Sequence, residues 1–176
     1  LPISSSGHLV LAQNFMNINE KGVILEVILH MGTLGAIILY YYKDIKNLIN
    51  ATFNNTDDAR SYIIYLIVAT VPAVCCGLFL GDFIENNFIP SIVSIMFFIT
   101  GIVLASTYFF TEKGIRNISI QIAICIGLVQ ACALMPGISR SGFTISIALI
   151  MGIQRYEAAR FSFFMAIPVL IGAGCL

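Results

Sequence analysis

Apolar residues run along this chain in long blocks that do not alternate, separated by short polar stretches. Four blocks, Gly22 to Tyr42, Tyr62 to Leu80, Pro90 to Phe110 and Ile118 to Met135, are long enough to cross a hydrocarbon core of about 30 Å, which takes about 20 residues of helix. Barrel strands would be shorter and would alternate, so the spans are predicted to be helices. Two blocks are too short to span alone: Ser4 to Met16 and Phe143 to Gly152, each directly behind a polar, glycine-containing stretch. They fit broken or re-entrant helices, because irregular backbone survives at membrane depth only where protein or a water-filled cavity satisfies it. The run Phe161 to Leu176 begins another helix, with Pro168 as its predicted kink. The pattern therefore predicts an all-α polytopic membrane helix bundle, one transmembrane domain over residues 1–176.

Composition excludes the alternatives. Of 176 residues, 59% are apolar and 10% charged, whereas a soluble domain has about 45–50% and about 25%. Such a chain can neither cover a water-facing surface nor stay solvated as a disordered one. Nine Lys+Arg balance nine Asp+Glu, and the basic residues form no patch, which argues against a nucleic-acid partner. The five cysteines lie in apolar runs without Cys-x-x-Cys spacing and read as buried small hydrophobes. No basic stretch precedes an apolar one at the start, so no cleavable leader is predicted. The chain opens in mid-pattern at Leu1 and closes inside an apolar run, as a piece of a longer protein would.

Loop charge sets an expected orientation, since short cytoplasmic loops are enriched in Lys and Arg. The loop Lys43 to Ser61 holds Lys43, Lys46 and Arg60, and the turn Thr111 to Asn117 holds Lys113 and Arg116, so both are expected inside. Gly81 to Ile89 carries Asp82 and Glu85 without a basic residue and is expected outside. Ser4 to His8 and Pro136 to Thr144 then share the outer half of the membrane. Arg155 and Arg160 would conflict with this scheme if Phe143 to Gly152 turned back outward, which the sequence leaves open.

The two polar stretches resemble each other. Pro2-Ile3-Ser4-Ser5-Ser6-Gly7 aligns with Pro136-Gly137-Ile138-Ser139-Arg140-Ser141-Gly142 if Gly137 is an insertion, and each precedes a short apolar helix. This predicts two halves, the first from residue 1 and the second from about residue 118, related as inverted repeats whose broken helices meet at a shared site.

The chemistry of that site follows from the side chains. A buried arginine costs about 2.5–3.5 kcal/mol on insertion scales, so Arg140 requires an anion. A guanidinium fork suits phosphate oxygens. Ser139, Ser141 and Thr144 add hydroxyls, Gly137 and Gly142 permit close backbone approach, and a helix starting at Phe143 would aim its free N–H groups at the same spot. Alternatively, Arg140 is the counter-ion of Glu26, the one carboxylate inside a predicted span. Ser4, Ser5 and Ser6 offer nucleophiles beside Gly7, and His8 offers a base to take a serine proton. His30, four residues after Glu26, is read as its structural hydrogen-bond partner.

The two motifs, with Leu1, Leu9, Gln130 and Ile145, resemble the undecaprenyl-diphosphatase (bacitracin-resistance protein) family over nearly the whole chain. Glu26 to Tyr41 and Ala158 to Pro168 resemble further family segments. The resemblance implies a phosphoric-anhydride hydrolase of the bacterial inner membrane that converts undecaprenyl diphosphate to the monophosphate, with its site facing the outer side. It also implies that Ser5 is the nucleophile with Ser4 beside it, His8 the general acid or base, and Arg140 the phosphate-binding arginine. Ser6, Gly137, Ser139, Ser141, Gly142 and Thr144 then line the phosphate pocket. The family's acidic motif, two glutamates upstream of the Leu-Pro, is not in this sequence, so no metal ligand is assigned within it. A divalent cation, Mg2+ or Ca2+, is nonetheless implied as cofactor. A polyprenyl-phosphate lipid or anion transporter is the competing reading, and a structural membrane subunit a weaker one. The oligomeric state stays open, with a homodimer one option.

Overall fold

A computed structural model describes residues 3–16, 23–54, 56–86, 89–110 and 117–175. Among the described residues there are eight α-helices, one 3-10 turn and no strand. In chain order they are α1 (Ser5–Phe15), α2 (Val23–Tyr40), α3 (Tyr42–Phe53), α4 (Asp57–Asn86), α5 (Pro90–Ser106), the 3-10 turn Thr107–Phe109, α6 (Ile120–Cys132), α7 (Arg140–Ile150) and α8 (Arg155–Cys175). The all-α expectation holds; three of the four predicted spans correspond to α2, α4 and α5, whereas the fourth, Ile118 to Met135, holds α6, which at 13 residues is too short to cross.

Three boundaries differ from the sequence reading. Most of the supposed loop after Tyr42 is α3, an amphipathic helix with Lys43 and Lys46 exposed and Ile45 and Leu48 packed against the core of Leu34, Ile37, Tyr41 and Phe164. Helix α4 runs on to Asn86, so much of the supposed acidic loop is helical. Helix α7 begins at Arg140 rather than Phe143, because Ser139 caps it. Cysteine placement differs too: Cys75 and Cys132 are exposed and Cys76 and Cys125 half-buried, all four as free thiols.

The segments Asp57–Gly81 and Pro90–Phe109 are long and apolar enough to cross a membrane, with only 17% and 11% of their most apolar windows buried. A soluble protein's core helix would be mostly buried. Here Ile67, Val71, Leu78 and Phe79 of α4 and Ile95, Phe98 and Ile102 of α5 point outward, as lipid-facing residues do. The chain is a membrane protein.

Small residues let the helices close. A Cβ on Gly127 of α6 would lie 2.6 Å from the carbonyl oxygen of Ala69 in α4. The Gln130 side-chain amide donates to that same oxygen at 3.4 Å. Such contacts, together with van der Waals packing, replace the hydrophobic effect between helices in lipid. Beside them Ile126, Ala148, Phe161 and Met165 form the largest buried cluster.

The starts of α3, α4 and α8 share one end of the bundle. The Tyr156 hydroxyl donates to Asp44 at 3.3 Å, and the Arg160 guanidinium lies 5.3 Å from the centre of the Tyr62 ring. Arg160 also pairs with Glu157 at 2.8 Å. Tyr41, just beyond α2, packs edge-on against Phe164 midway along α8, and Tyr156 at the start of α8 reaches Asp44 past the end of α2, so α2 and α8 run antiparallel. Helices α6 and α7, of 13 and 11 residues, reach about 20 Å and 17 Å, short of a full crossing. They form a hairpin that enters the bundle and returns, which brings Arg155 and Arg160 to the same end as Lys43 and Lys46. The conflict that the sequence left open does not arise.

Candidate active site

Helices α1 and α7 begin in the same way. Ser4 precedes α1 with φ −72° and ψ 107°, and its Oγ accepts the Gly7 N–H at 3.3 Å. Ser139 precedes α7 with φ −80° and ψ 109°, and its Oγ accepts the Gly142 N–H at 3.1 Å. A serine cap of this kind is worth about 1 kcal/mol. It satisfies one first-turn N–H and leaves the two before it without an intrahelical acceptor. Ser5 and Arg140 thus occupy equivalent first positions of the two helices, and Ser6 and Ser141 equivalent second ones.

The two starts touch. A Cβ on Gly7 would lie 2.8 Å from the Gly137 Cα and 2.8 Å from Phe97 Cζ. Gly137 has φ +93°, a conformation costly for other residues, and a Cβ there would lie 2.6 Å from the Val93 carbonyl. Both motifs rest on α5. Thr100 of that helix, unremarked in the sequence reading, donates its hydroxyl to the Gly137 carbonyl at 3.2 Å and accepts the Ser139 N–H at 3.3 Å. It splints the turn that feeds α7.

Between the two starts opens a cavity of about 460 Å³. Its polar wall is Ser4, Ser5, Ser6, Ser139, Arg140 and Ser141 from the helix starts, His30 and Thr33 from α2, and Ser162 from α8. Ile37, Phe163, Ala166 and Leu170 supply an apolar side. The three N-terminal serines are not equivalent. Ser4 is buried as the cap, and its Oγ also lies 3.3 Å from Ser6 Oγ. Ser5 is exposed, and its Oγ lies 3.4 Å from His30 Nε2.

Several predicted residues lie elsewhere. His8 is not on the cavity wall: its Nδ1 lies 2.7 Å from the Ser4 carbonyl, and its ring packs edge-on against Phe97 at 4.8 Å. A carbonyl only accepts, so Nδ1 carries the proton there. Thr144 is buried, donates to the Arg140 carbonyl at 2.8 Å and lies 2.7 Å from Ser162 Oγ, so it braces the first turn of α7 instead of lining the pocket. Gly137 and Gly142 shape the backbone behind the wall. The side chain of Glu26, proposed partner of both Arg140 and His30, lies outside the described residues. Among the described residues no carboxylate is ion-paired with Arg140. His30 and Ser162 were missed as wall residues because helix spacing reveals neighbours on one helix only.

The described wall does not fit a divalent-cation site. Hard cations take carboxylate and carbonyl oxygens, whereas this wall offers hydroxyls, one imidazole and a guanidinium. No group of three or more His, Cys, Asp or Glu among the described residues could hold a metal.

Fold and site together define a class: helical membrane proteins that assemble a polar, cationic cavity from the capped N-termini of two short helices. The bacitracin resistance protein BacA family model matches residues 1–176. The chain belongs to that family. It is similar to the undecaprenyl-diphosphatase of Saccharophagus degradans, 41% identical over 99% of this chain and 68% of the relative's length. It is likewise similar to the undecaprenyl-diphosphatases of Desulforudis audaxviator, 38% identical over 100% and 69%, and Syntrophotalea carbinolica, 42% identical over 98% and 68%.

Proposed function

We propose that this protein hydrolyses undecaprenyl diphosphate to undecaprenyl phosphate and orthophosphate, in a multi-pass arrangement in the bacterial inner membrane with the cavity open to the outer side. The observation that carries this reading is the pair of matched helix starts, which sets an exposed serine and an arginine at equivalent first positions across one cavity. The polyprenyl chain stays in lipid while the diphosphate enters. Arg140 and the free first-turn N–H groups hold the terminal phosphoryl group, the Ser141 hydroxyl adds a donor, and two helix N-termini favour its negative charge. Ser5 is the nucleophile, since Ser4 is committed to capping and Ser6 to Ser4. Charge on the equatorial oxygens grows where these donors already point, which is the main way a protein speeds phosphoryl transfer. A divalent cation is part of the proposal through the family resemblance alone, and its protein ligands would include groups beyond the described residues.

In the full-length protein, Ser5→Ala and Arg140→Ala each abolish orthophosphate release from undecaprenyl diphosphate while the protein still inserts and elutes as the parent does. Near-parental turnover by either variant overturns the assignment. The transporter reading is not favoured by relatives named as diphosphatases; lipid label crossing reconstituted vesicles without phosphate release would restore it.

A further inference from the structure

We infer that His30, on α2, is the base that takes the proton of Ser5, a role that rests on the hydrolase reading above. Its Nε2 lies 3.4 Å from Ser5 Oγ, long for a hydrogen bond but typical of a catalytic pair before substrate tightens it. It is the imidazole on the cavity wall among the described residues, and it approaches from a different helix than the nucleophile. His8, the nearer histidine in sequence, has turned away: its Nδ1–H is spent on the Ser4 carbonyl and its ring leans on Phe97 of α5. Position also favours His30. It sits half-buried beside Ser5 and lines the same cavity as Arg140, so one side chain faces both the attacking oxygen and the space where the cation would hold the phosphoryl group.

The step balances. Ser5 Oγ forms a bond to the terminal phosphorus as the bridging P–O bond to the lipid-linked phosphate breaks, and the hydroxyl proton passes to Nε2. The imidazolium gives that proton to the departing lipid monophosphate. Water then attacks the phosphoserine phosphorus as the Ser5 Oγ–P bond breaks; His30 takes the water proton and returns it to Ser5 Oγ, which restores the resting pair and releases orthophosphate. For this the resting imidazole carries its hydrogen on Nδ1 and a lone pair on Nε2.

The test uses the full-length purified protein and undecaprenyl diphosphate. His30→Gln keeps hydrogen-bonding capacity but cannot carry a proton; it is expected to lower kcat by about 100-fold or more, the usual worth of general-base catalysis, with KM within about threefold. His30→Ala is expected to regain activity when imidazole is added to the buffer, in proportion to the free base, because the cavity has room for the missing ring. A purely structural histidine would show neither the kcat-only loss nor the rescue. A His30→Gln protein that turns over at the parental rate overturns the inference. So does a His30→Ala protein that elutes as the parent and stays inactive at saturating imidazole. An active Ser5→Ala protein instead brings down the underlying reading, so the two failures are told apart.

Discussion

Thr100 is a single hydroxyl in an apolar helix, yet two backbone groups of the site depend on it. Replacing it with valine keeps the shape and removes both hydrogen bonds, leaving the buried Gly137 carbonyl and Ser139 N–H unpaired. An orphaned buried group costs about 1–3 kcal/mol, so the turn is expected to shift and carry Ser139 and Arg140 with it. Thr100→Val should lower kcat/KM by about 10- to 100-fold, whereas Thr100→Ser, which keeps the hydroxyl, should stay near the parent in the same phosphate-release assay. A loss in Thr100→Ser with Thr100→Val near the parent would mean that the methyl group, not the hydroxyl, matters. Nothing in the sequence marks Thr100, because a threonine in a hydrophobic run ordinarily bonds its own helix, as Thr70 does to the Leu66 carbonyl at 2.8 Å.

At the scale of elements, the contact between α4 and α6 is set by the absence of a side chain. Gly127→Val would drive its Cβ into the Ala69 backbone, which cannot swing aside as a side chain could. Overpacking costs about 1–3 kcal/mol, and a lower thermal midpoint in detergent is the expected outcome; an unchanged midpoint would show that the two helices separate freely. The long spans were legible because hydrophobicity in a membrane is an element-length signal. Helix α3 was not: Lys43, Asp44 and Lys46 look like loop charge until Ile45 and Leu48 are seen on its other side. The two serine motifs were legible as a pair, since their spacing and glycines repeat, and the cavity does gather Ser4 to Ser6 with Ser139 to Ser141. The start of α7 was misplaced by three residues because a capping serine and a first-turn arginine look polar rather than helical. That His30 lines the cavity and His8 does not was hidden for a related reason. Sequence distance favoured His8, but only the tertiary approach of α2 to Ser5 at the start of α1 decides which ring meets it.

For the molecule as a whole, the shared end formed by the starts of α3, α4 and α8 is where orientation can be read. It carries Lys43, Lys46, Arg155 and Arg160, and the proposed arrangement puts it in the cytoplasm. In a cysteine-free background, Lys46→Cys should react with a membrane-impermeant maleimide only after the cells are opened. Labelling in intact spheroplasts would reverse the assigned orientation, and with it the side on which phosphate is released.

The contact between Gly7 and Gly137 reaches beyond packing. It joins residues 130 positions apart in the chain, backbone against backbone, so the gap between Ser5 and Arg140 is fixed by main chain and not by adaptable side chains. Neither helix start holds both a nucleophile and a cation. On the proposed reading, a newly inserted chain whose α6–α7 hairpin has not yet docked is therefore expected to be chemically silent, the capacity to cleave phosphate switching on only when the second motif closes against the first.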